Sequence, residues 1–281
     1  MSSDALKASN VAVITGGASG IGLAAAVRFA KLGMKVCIAD LGAQRLAAAA
    51  KIIGKPDAEV MTAECDVSRL DDLVMLEKAV RSQFGKVDVL MNNAGIQPGS
   101  TMLGPQSGWE KTIAVNMWGV INGSRVFAPG MIAQGTSGLI INTGSKQGIT
   151  TPPGDPAYNV SKAAVKVFTE ALQHELRNTQ GCKIAAHLLI PGFVFTGLTA
   201  GARTEKPAGA WTPDETVAFM FDRIHAGDFY ILCPDNEVAR PLDEKRIEWA
   251  AGDLIENRPP LSRWHKDYAE AFKAFLETKG G

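Results

Sequence analysis

Val11-Ala12-Val13-Ile14-Thr15-Gly16-Gly17-Ala18-Ser19-Gly20-Ile21-Gly22 is the stretch whose reading decides the fold. Its first five residues form an unbroken apolar run, the pattern of a strand buried on both faces of a parallel sheet. The glycines follow at once. An Ala-rich segment then reads as helix to about Leu32, with Gly33 as its stop. Lys35 to Asp40, K-V-C-I-A-D, is a second strand ending in an acid. Gly20, Gly22 and Ala25 satisfy G-x-G-x-x-G/A, and Asp40 lies 20 residues beyond Gly20. Glycines of this kind let the backbone approach a pyrophosphate at a helix N-terminus, and the acid bonds ribose hydroxyls. Strand, glycine loop, helix, strand and terminal acid together point to dinucleotide binding. The bland alternative is a structural tight turn.

The beat then repeats along the chain. Ala43 to Ile53 reads as helix and Ala58 to Cys65 as strand, running into Asp66-Val67. Ser68 is expected to cap a helix with apolar positions at Leu70, Leu73, Leu76, Val80 and Phe84, stopped by Gly85. Val87 to Met91 is a fourth strand, followed by Asn92-Asn93-Ala94-Gly95. One long helix is expected from about Ser107 to Gln134, with Asn116 inside it. Leu139 to Thr143, Lys183 to Ile190 and Phe229 to Leu232 complete about seven strands, with a helix from Tyr158 to about Thr179 between the first two. Alternation at this spacing predicts an α/β protein: a Rossmann-like, doubly wound parallel sheet with helices on both faces. No linker or repeat divides residues 1–281, so a single dinucleotide-binding and catalytic domain is expected, with 234–281 as a C-terminal helical extension. In open sheets of this type ligands bind at the carboxyl ends of the strands. The signals that follow the strands (Gly16 to Gly22, Asp40, Asp66, Asn93, Ser145, Pro191) all fall on that edge.

The chemistry is concentrated between Ser145 and Lys162, S-K-Q-G-I-T-T-P-P-G-D-P-A-Y-N-V-S-K. Asp155 suits an N-cap and Pro156 the first helical position. Tyr158 then falls in the first turn, and Lys162, four residues on, shares its face. A free phenol has a pKa of about 10. A nearby ammonium favours the phenolate, so the pair reads as a tuned acid/base. An incidental Tyr and Lys on a surface helix is the plain alternative.

Composition excludes several classes. The 281 residues are 46% hydrophobic and carry net charge +0, so nothing marks a nucleic-acid partner. Met1 to Asn10 lacks an apolar signal core, and no apolar run approaches the roughly 20 residues of a membrane span. Cys37, Cys65, Cys182 and Cys233 form no C-x-x-C pair and the histidines, among them His174 and His187, are scattered. Free thiols, no metal and a cytoplasmic location are expected.

Taken together, the motifs resemble the short-chain dehydrogenase/reductase family in its single-domain branch, over most of Val11 to Thr196. They are T-G-G-A-S-G-I-G (Thr15 to Gly22), Asp66-Val67, N-N-A-G (Asn92 to Gly95), Asn116, Ser145, Y-N-V-S-K (Tyr158 to Lys162) and P-G-F-V-F-T (Pro191 to Thr196). The resemblance implies roles. Tyr158 is the general acid/base, and Lys162 lowers its pKa and holds the nicotinamide ribose. Ser145 bonds the substrate oxygen. Asn116 kinks its helix and positions a water linking Lys162 to solvent; a polar core residue is its bland reading. The cofactor residues implied are Gly16, Ser19, Gly20, Ile21 and Gly22 at the first loop and Asp40 and Leu41 after the second strand. Asp66 and Val67 flank the adenine, and Asn93, Ala94 and Gly95 pass by the ribose. Pro191, Gly192, Val194 and Thr196 cover the nicotinamide, beside Tyr158 and Lys162. Asp40 bonds a 2′-hydroxyl and repels a 2′-phosphate, and no basic residue replaces Gly17, Ala18 or Leu41, so NAD is expected over NADP.

The implied activity is interconversion of a secondary alcohol and a ketone by hydride transfer. An NADP-dependent carbonyl reductase and a non-catalytic NAD-binding regulator are the alternatives; the extended branch's G-x-x-G-x-x-G loop is missing. A largely apolar small molecule is the expected substrate, with Ser145, Gln97, Gln147, Phe193 and Trp211 as candidate contacts. Phe193 to Trp211 reads as a specificity loop, ended by a capping box of Thr212 and Glu215. Lys146 and Arg203 are either carboxylate-binding or solvated. The tail departs from the family's usual ending: Glu237 to Ala250 and Trp264 to Leu276 read as helices, packed on their own subunit or covering the pocket. A homodimer or homotetramer through the Asn116 and Tyr158 helices is expected.

Overall fold

The computed structural model describes residues 2–54 and 59–277. Among them, seven strands form one parallel sheet: β1 (Val11–Thr15), β2 (Lys35–Asp40), β3 (Val60–Glu64), β4 (Val89–Asn92), β5 (Gly138–Thr143), β6 (Ile184–Ile190) and β7 (Tyr230–Leu232). Their spatial order is β3-β2-β1-β4-β5-β6-β7. The order reverses between β1 and β4, which opens a crevice at their carboxyl ends. The helices are α1 (Gly20–Lys31), α2 (Ala43–Ile53), α3 (Leu70–Phe84), α4 (Gln106–Ile113), α5 (Gly119–Ala133), α6 (Gln147–Thr150), α7 (Pro156–Asn178), α8 (Pro213–Ala226), α9 (Arg240–Ile255) and α10 (Ala269–Glu277).

The unbroken apolar run of β1 is explained by its two buried faces. Ala12 and Ile14 pack with Phe29 of α1, Leu46 of α2 and Phe221 of α8. Val11 and Val13 pack with Leu73 of α3, Phe127 of α5 and Leu176 of α7. Successive strand residues point to opposite faces, so a doubly wound sheet needs apolar residues at every position. Under the crevice, Asn92 of β4 donates to Ser124 Oγ (3.1 Å) and Asn142 Oδ1 (2.9 Å), and Asn142 donates to Thr169 Oγ1 (3.1 Å). This buried chain of amides and hydroxyls ties β4 and β5 to α5 and α7.

Several element limits differ from the expected ones. Ala58 lies outside the described residues, and β3 starts at Val60. Val87 is not in β4, because its N–H and C=O are both taken by the Gln134 amide. Ser68 does not cap α3; its N–H and hydroxyl both donate to Asp66 Oδ1, closing an Asx-type turn. The helix expected from Ser107 to Gln134 is interrupted by a π-helical turn, Ala114–Trp118, that carries Asn116. Strand β7 begins at Tyr230, one residue late; the Phe229 carbonyl still accepts from Leu188 N–H. The first tail helix starts at Arg240, since the Asp235 carboxylate holds the N–H groups of Glu237 and Val238 in a turn. The second starts at Ala269, after two short 3-10 turns. The caps at Asp155 and at Thr212–Glu215 form as expected.

The tail folds back on the body. Ile247 of α9 packs on Val165, Leu188, Ile190 and Leu232 at the β6–β7 edge. Trp249 is sandwiched by Phe272 and Phe275 of α10, with ring centroids 5.2 Å away in each case, and donates to Ser262 Oγ at 2.7 Å.

Candidate active site

A cavity of about 540 Å³ opens at the carboxyl ends of the strands. Its inner wall is the loop after β1. Gly16 has φ +64°, and a Cβ there would sit 2.8 Å from Ala94 Cα, so only glycine lets the β1 and β4 loops meet. A Cβ on Gly22 would collide with the Gly16 carbonyl. Gly22 does not itself line the cavity; its task is to let α1 start under the loop. Helix α1 begins with no acid in its first turn and no side-chain cap, so its first N–H groups are left facing the cavity beside Ser19, Gly20 and Ile21.

At the far end, Asp40 Oδ2 accepts from Ala18 N–H (3.0 Å) and Oδ1 from Leu41 N–H (2.8 Å). Arg45, on the first turn of α2, reaches Asp40 at 3.7 Å and Ser19 Oγ at 3.4 Å. Sequence reading missed Arg45. It lies five residues past Asp40, where no motif marks it. Asp66, Val67, Asn93, Ala94 and Gly95 line the middle of the cavity. Thr15 holds the turn after β4 in place: its hydroxyl accepts from Asn93 N–H (3.0 Å) and Ala94 N–H (3.2 Å). Pro191, Gly192, Val194 and Thr196 close the other side, joined by Leu198 and Thr199, which the sequence did not single out.

Ser145, Tyr158 and Lys162 line the same cavity. Tyr158 hydrogen-bonds Ser145, whose Oγ also accepts from Gln147 N–H at 3.1 Å. Lys162 Nζ donates to the Thr143 carbonyl at 2.9 Å and lies 5.7 Å from the centroid of the Tyr158 ring. Asn116 is fully buried behind them. Its Oδ1 accepts from Ile96 N–H (2.8 Å), and its Nδ2 donates to Ile96 C=O (2.9 Å) and Ser161 Oγ (3.3 Å). The amide thus extends the loop after Gly95 like a strand partner, and the π turn is what turns it inward.

The electrostatics of the pair are set by burial. Burial pushes the Tyr158 phenol up to about 12, the Ser145 hydrogen bond pulling weakly the other way. Burial also pulls the Lys162 ammonium down to about 8. Desolvation disfavours the charged form of each, so the phenol keeps its proton at neutral pH. A stability test follows. Lys162 has its folded pKa below its ordinary 10.5, so the unfolded chain binds more protons between pH 8 and 10.5. Stability therefore rises with pH through that window and is lost as pH falls through 8. Tyr158 has the opposite sign above pH 10 and is common to wild type and a Lys162→Met variant. The wild-type advantage over Lys162→Met in urea unfolding should grow with pH, by at most about 1.4 kcal/mol per pH unit. A pH-independent difference would contradict the buried-ammonium account.

The other candidate contacts are placed elsewhere. Gln97, Gln147, Phe193 and Trp211 do not line this cavity. Trp211 packs edge-on against Phe219 (5.7 Å) beside the α1–α8 core, and its indole N–H donates to Asn236 Oδ1 at 3.1 Å. Lys146, next to Ser145, is neither solvated nor free for a ligand. It pairs with Asp243 of α9 at 2.6 Å and with Asp235 at 3.3 Å, and all three side chains are largely buried. Burial holds the Asp243 carboxyl above the usual range, with Lys146 pulling it down. Cys37, Cys65, Cys182 and Cys233 are free thiols. Among the described residues no group of three potential ligands for a metal ion exists, and no helix is long and apolar enough to cross a membrane.

Comparison with known proteins agrees with this geometry. The family model for short chain dehydrogenases matches residues 10–207. The chain is similar to 2-(R)-hydroxypropyl-CoM dehydrogenase of Xanthobacter autotrophicus, 35% identical over 68% of this chain and 77% of that one. It is also similar to 1-deoxy-11-beta-hydroxypentalenate dehydrogenase of Streptomyces exfoliatus, 29% identical over 90% of this chain and 93% of that one. Among solved structures, a short chain dehydrogenase/reductase from Burkholderia phymatum in complex with NAD superposes with TM-score 0.81, at 33% identity, covering 90% of this chain and 96% of the other.

Proposed function

The chain belongs to the short-chain dehydrogenase family, and on that premise we propose that it is a nicotinamide-dependent oxidoreductase that interconverts a secondary alcohol and a ketone, using NAD. One observation carries the reading. Ser145, Tyr158 and Lys162 share a cavity with the glycine loop, the open N-terminus of α1 and Asp40. The residues suit a dinucleotide. Gly16 and Gly22 sit where any Cβ would obstruct the loop, the α1 N–H groups suit a pyrophosphate, and Asp40 offers a carboxylate to ribose hydroxyls. Lys162 is held by Thr143 where an ammonium would meet the second ribose.

When bound, the cofactor supplies hydride acceptance or delivery, and the protein supplies placement and proton handling. Tyr158 moves the proton of the substrate oxygen. In its protonated form it is ready to donate to a carbonyl. Ser145 shares that oxygen through its hydroxyl. Asn116 holds the Ile96 backbone and so the loop above Lys162. Lys146, next to Ser145, is paired and does not line the 540 Å³ cavity, which favours a largely apolar substrate. Exposed Trp118, Val160 and Val167 on the Asn116 and Tyr158 helices support a homodimer or homotetramer built on that face.

A panel of secondary alcohols with NAD, followed at 340 nm, tests the activity; NAD binding without turnover across a broad panel would favour a regulator. Cofactor choice has its own test. Asp40 stands beside the adenosine end and would oppose a 2′-phosphate, while Arg45 is already engaged by Asp40. The ratio of kcat/KM values should favour NAD. Asp40→Ala should shift it toward NADP by about tenfold or more, because the repulsion goes and Arg45 is released. A wild-type preference for NADP would refute the assignment.

A further inference from the structure

A second cavity, of about 410 Å³, lies between α6 and the C-terminal extension. Its floor is Ile149 to Thr151, the segment that leads from Ser145 toward Tyr158. Its walls are α9 and the turns from Asn257 to Trp264. Three arginines line it, and they differ in one respect. Arg258 is fully used: its nitrogens donate to Asp253 Oδ1, Glu256 Oε2 and the Trp249 carbonyl. Asp253 also lines the cavity, but its oxygens are taken by Arg258 and by Ser262 N–H and Oγ. Arg246 has a buried Nε without a hydrogen-bond partner, and no ion pair to a described carboxylate. Arg263 makes ring contacts, its guanidinium 4.7 Å from the Trp264 centroid and 5.4 Å from that of Phe272, and has no ion pair to a described carboxylate within 4 Å. The nearest acid on α9, Asp243, is committed to Lys146.

Among the described residues, two guanidiniums therefore line one small cavity, and the Asp243 carboxylate that attracts both is itself paired with Lys146. Burial and repulsion by Arg246 bring Arg263 down to about 10, against the pull of the Asp243 carboxylate. The remaining lining is mostly apolar: Ile149, Trp249, Leu254, Pro260 and Leu261. We propose that this cavity binds a small organic acid, its carboxylate held by Arg246 and Arg263 and its apolar body against Trp249 and Leu254. A planar carboxylate matches the guanidinium fork, and a partly dry cavity strengthens the contact. An inorganic anion would leave the apolar walls unused.

The site is independent of the redox reading, because its test reads binding alone. Isothermal titration of the whole protein would use phenylacetate, phenylacetamide and inorganic phosphate. Phenylacetate should bind saturably, with the neutral amide and phosphate each weaker by about tenfold or more. Arg246→Gln and Arg263→Gln should remove the preference for the acid over the amide, and Arg246→Lys should keep part of it. Tyr158→Phe, in the other cavity, should leave phenylacetate binding unchanged. Equal affinity for acid and amide, no saturable binding of the acid, or an unchanged preference in both Gln variants would overturn the proposal. So would loss of phenylacetate binding in Tyr158→Phe, which would move the acid to the first cavity. Unchanged circular dichroism and melting of the Lys variant guards against misfolding as the cause.

Discussion

Tyr158→Phe should lower kcat by about 100- to 10,000-fold while leaving cofactor affinity and melting temperature close to wild type. The substitution deletes one oxygen. The ring stays packed, and the backbone N–H of residue 158 still meets Asp155 at the helix start. Other proton carriers in the cavity are poor substitutes. Burial drives the Cys65 thiol up to about 12. The Asp40 and Asp66 carboxylates are engaged by backbone N–H groups. Lys162 is fixed on the Thr143 carbonyl, and Ser145 has no base beyond Tyr158. The loss should thus appear in kcat, with little change in cofactor KM. Single-turnover kinetics and cofactor fluorescence separate the two. A variant that keeps more than about a tenth of wild-type kcat would remove Tyr158 from the acid/base role.

Lys146→Ala should destabilise the fold by about 3 kcal/mol, the low end of the range for a broken buried ion pair, because 16% of the Lys146 side chain reaches solvent. The variant leaves Asp235 and Asp243, 6% and 5% exposed, as neighbouring carboxylates without a cation. Burial already holds the Asp243 carboxyl above its usual range and Lys146 pulls it down, so without Lys146 it would rise further, and the stability it contributes is present at low pH and lost as pH rises. The deficit should be largest near pH 7 and shrink toward pH 4. Urea unfolding at the two pH values reads this directly. Activity should fall as well: Asp235, which loses its Lys146 partner, accepts from Phe193 N–H at 3.2 Å in the loop after β6. The Lys146 and Asp235 side chains thus tie the segment beside Ser145 to the loop after β6. A deficit below about 0.5 kcal/mol at pH 7 would mean that the cluster is an ordinary surface pair.

Local signals were legible because their physics is local. The run Val11 to Thr15 is apolar at every position because the sheet is covered on both faces, and that pattern needs no knowledge of its partners. The glycine loop, the Asp155-Pro156 helix start and the Thr212–Glu215 capping box act within a few residues, so spacing alone predicts them. The Tyr158–Lys162 spacing likewise places both side chains in one cavity.

What the chain could not reveal by itself depends on residues far apart in sequence. Asn116 sits in a π turn because its amide meets the Ile96 backbone across a loop, and no periodicity encodes that meeting. Lys146 reads as either carboxylate-binding or solvated until α9 brings Asp243 to it. The protonation of Tyr158 and Lys162 turned on burial rather than on their spacing. The second cavity exists only because the tail folds back over α6. Sequence determined the α/β order, the dinucleotide loop and the Ser145–Tyr158–Lys162 set, since backbone propensity and helical spacing are written residue by residue. Tertiary structure alone decided which charges are paired, which are desolvated and which, at Arg246 and Arg263, are left facing an open cavity, because desolvation and pairing are set by neighbours that only folding supplies.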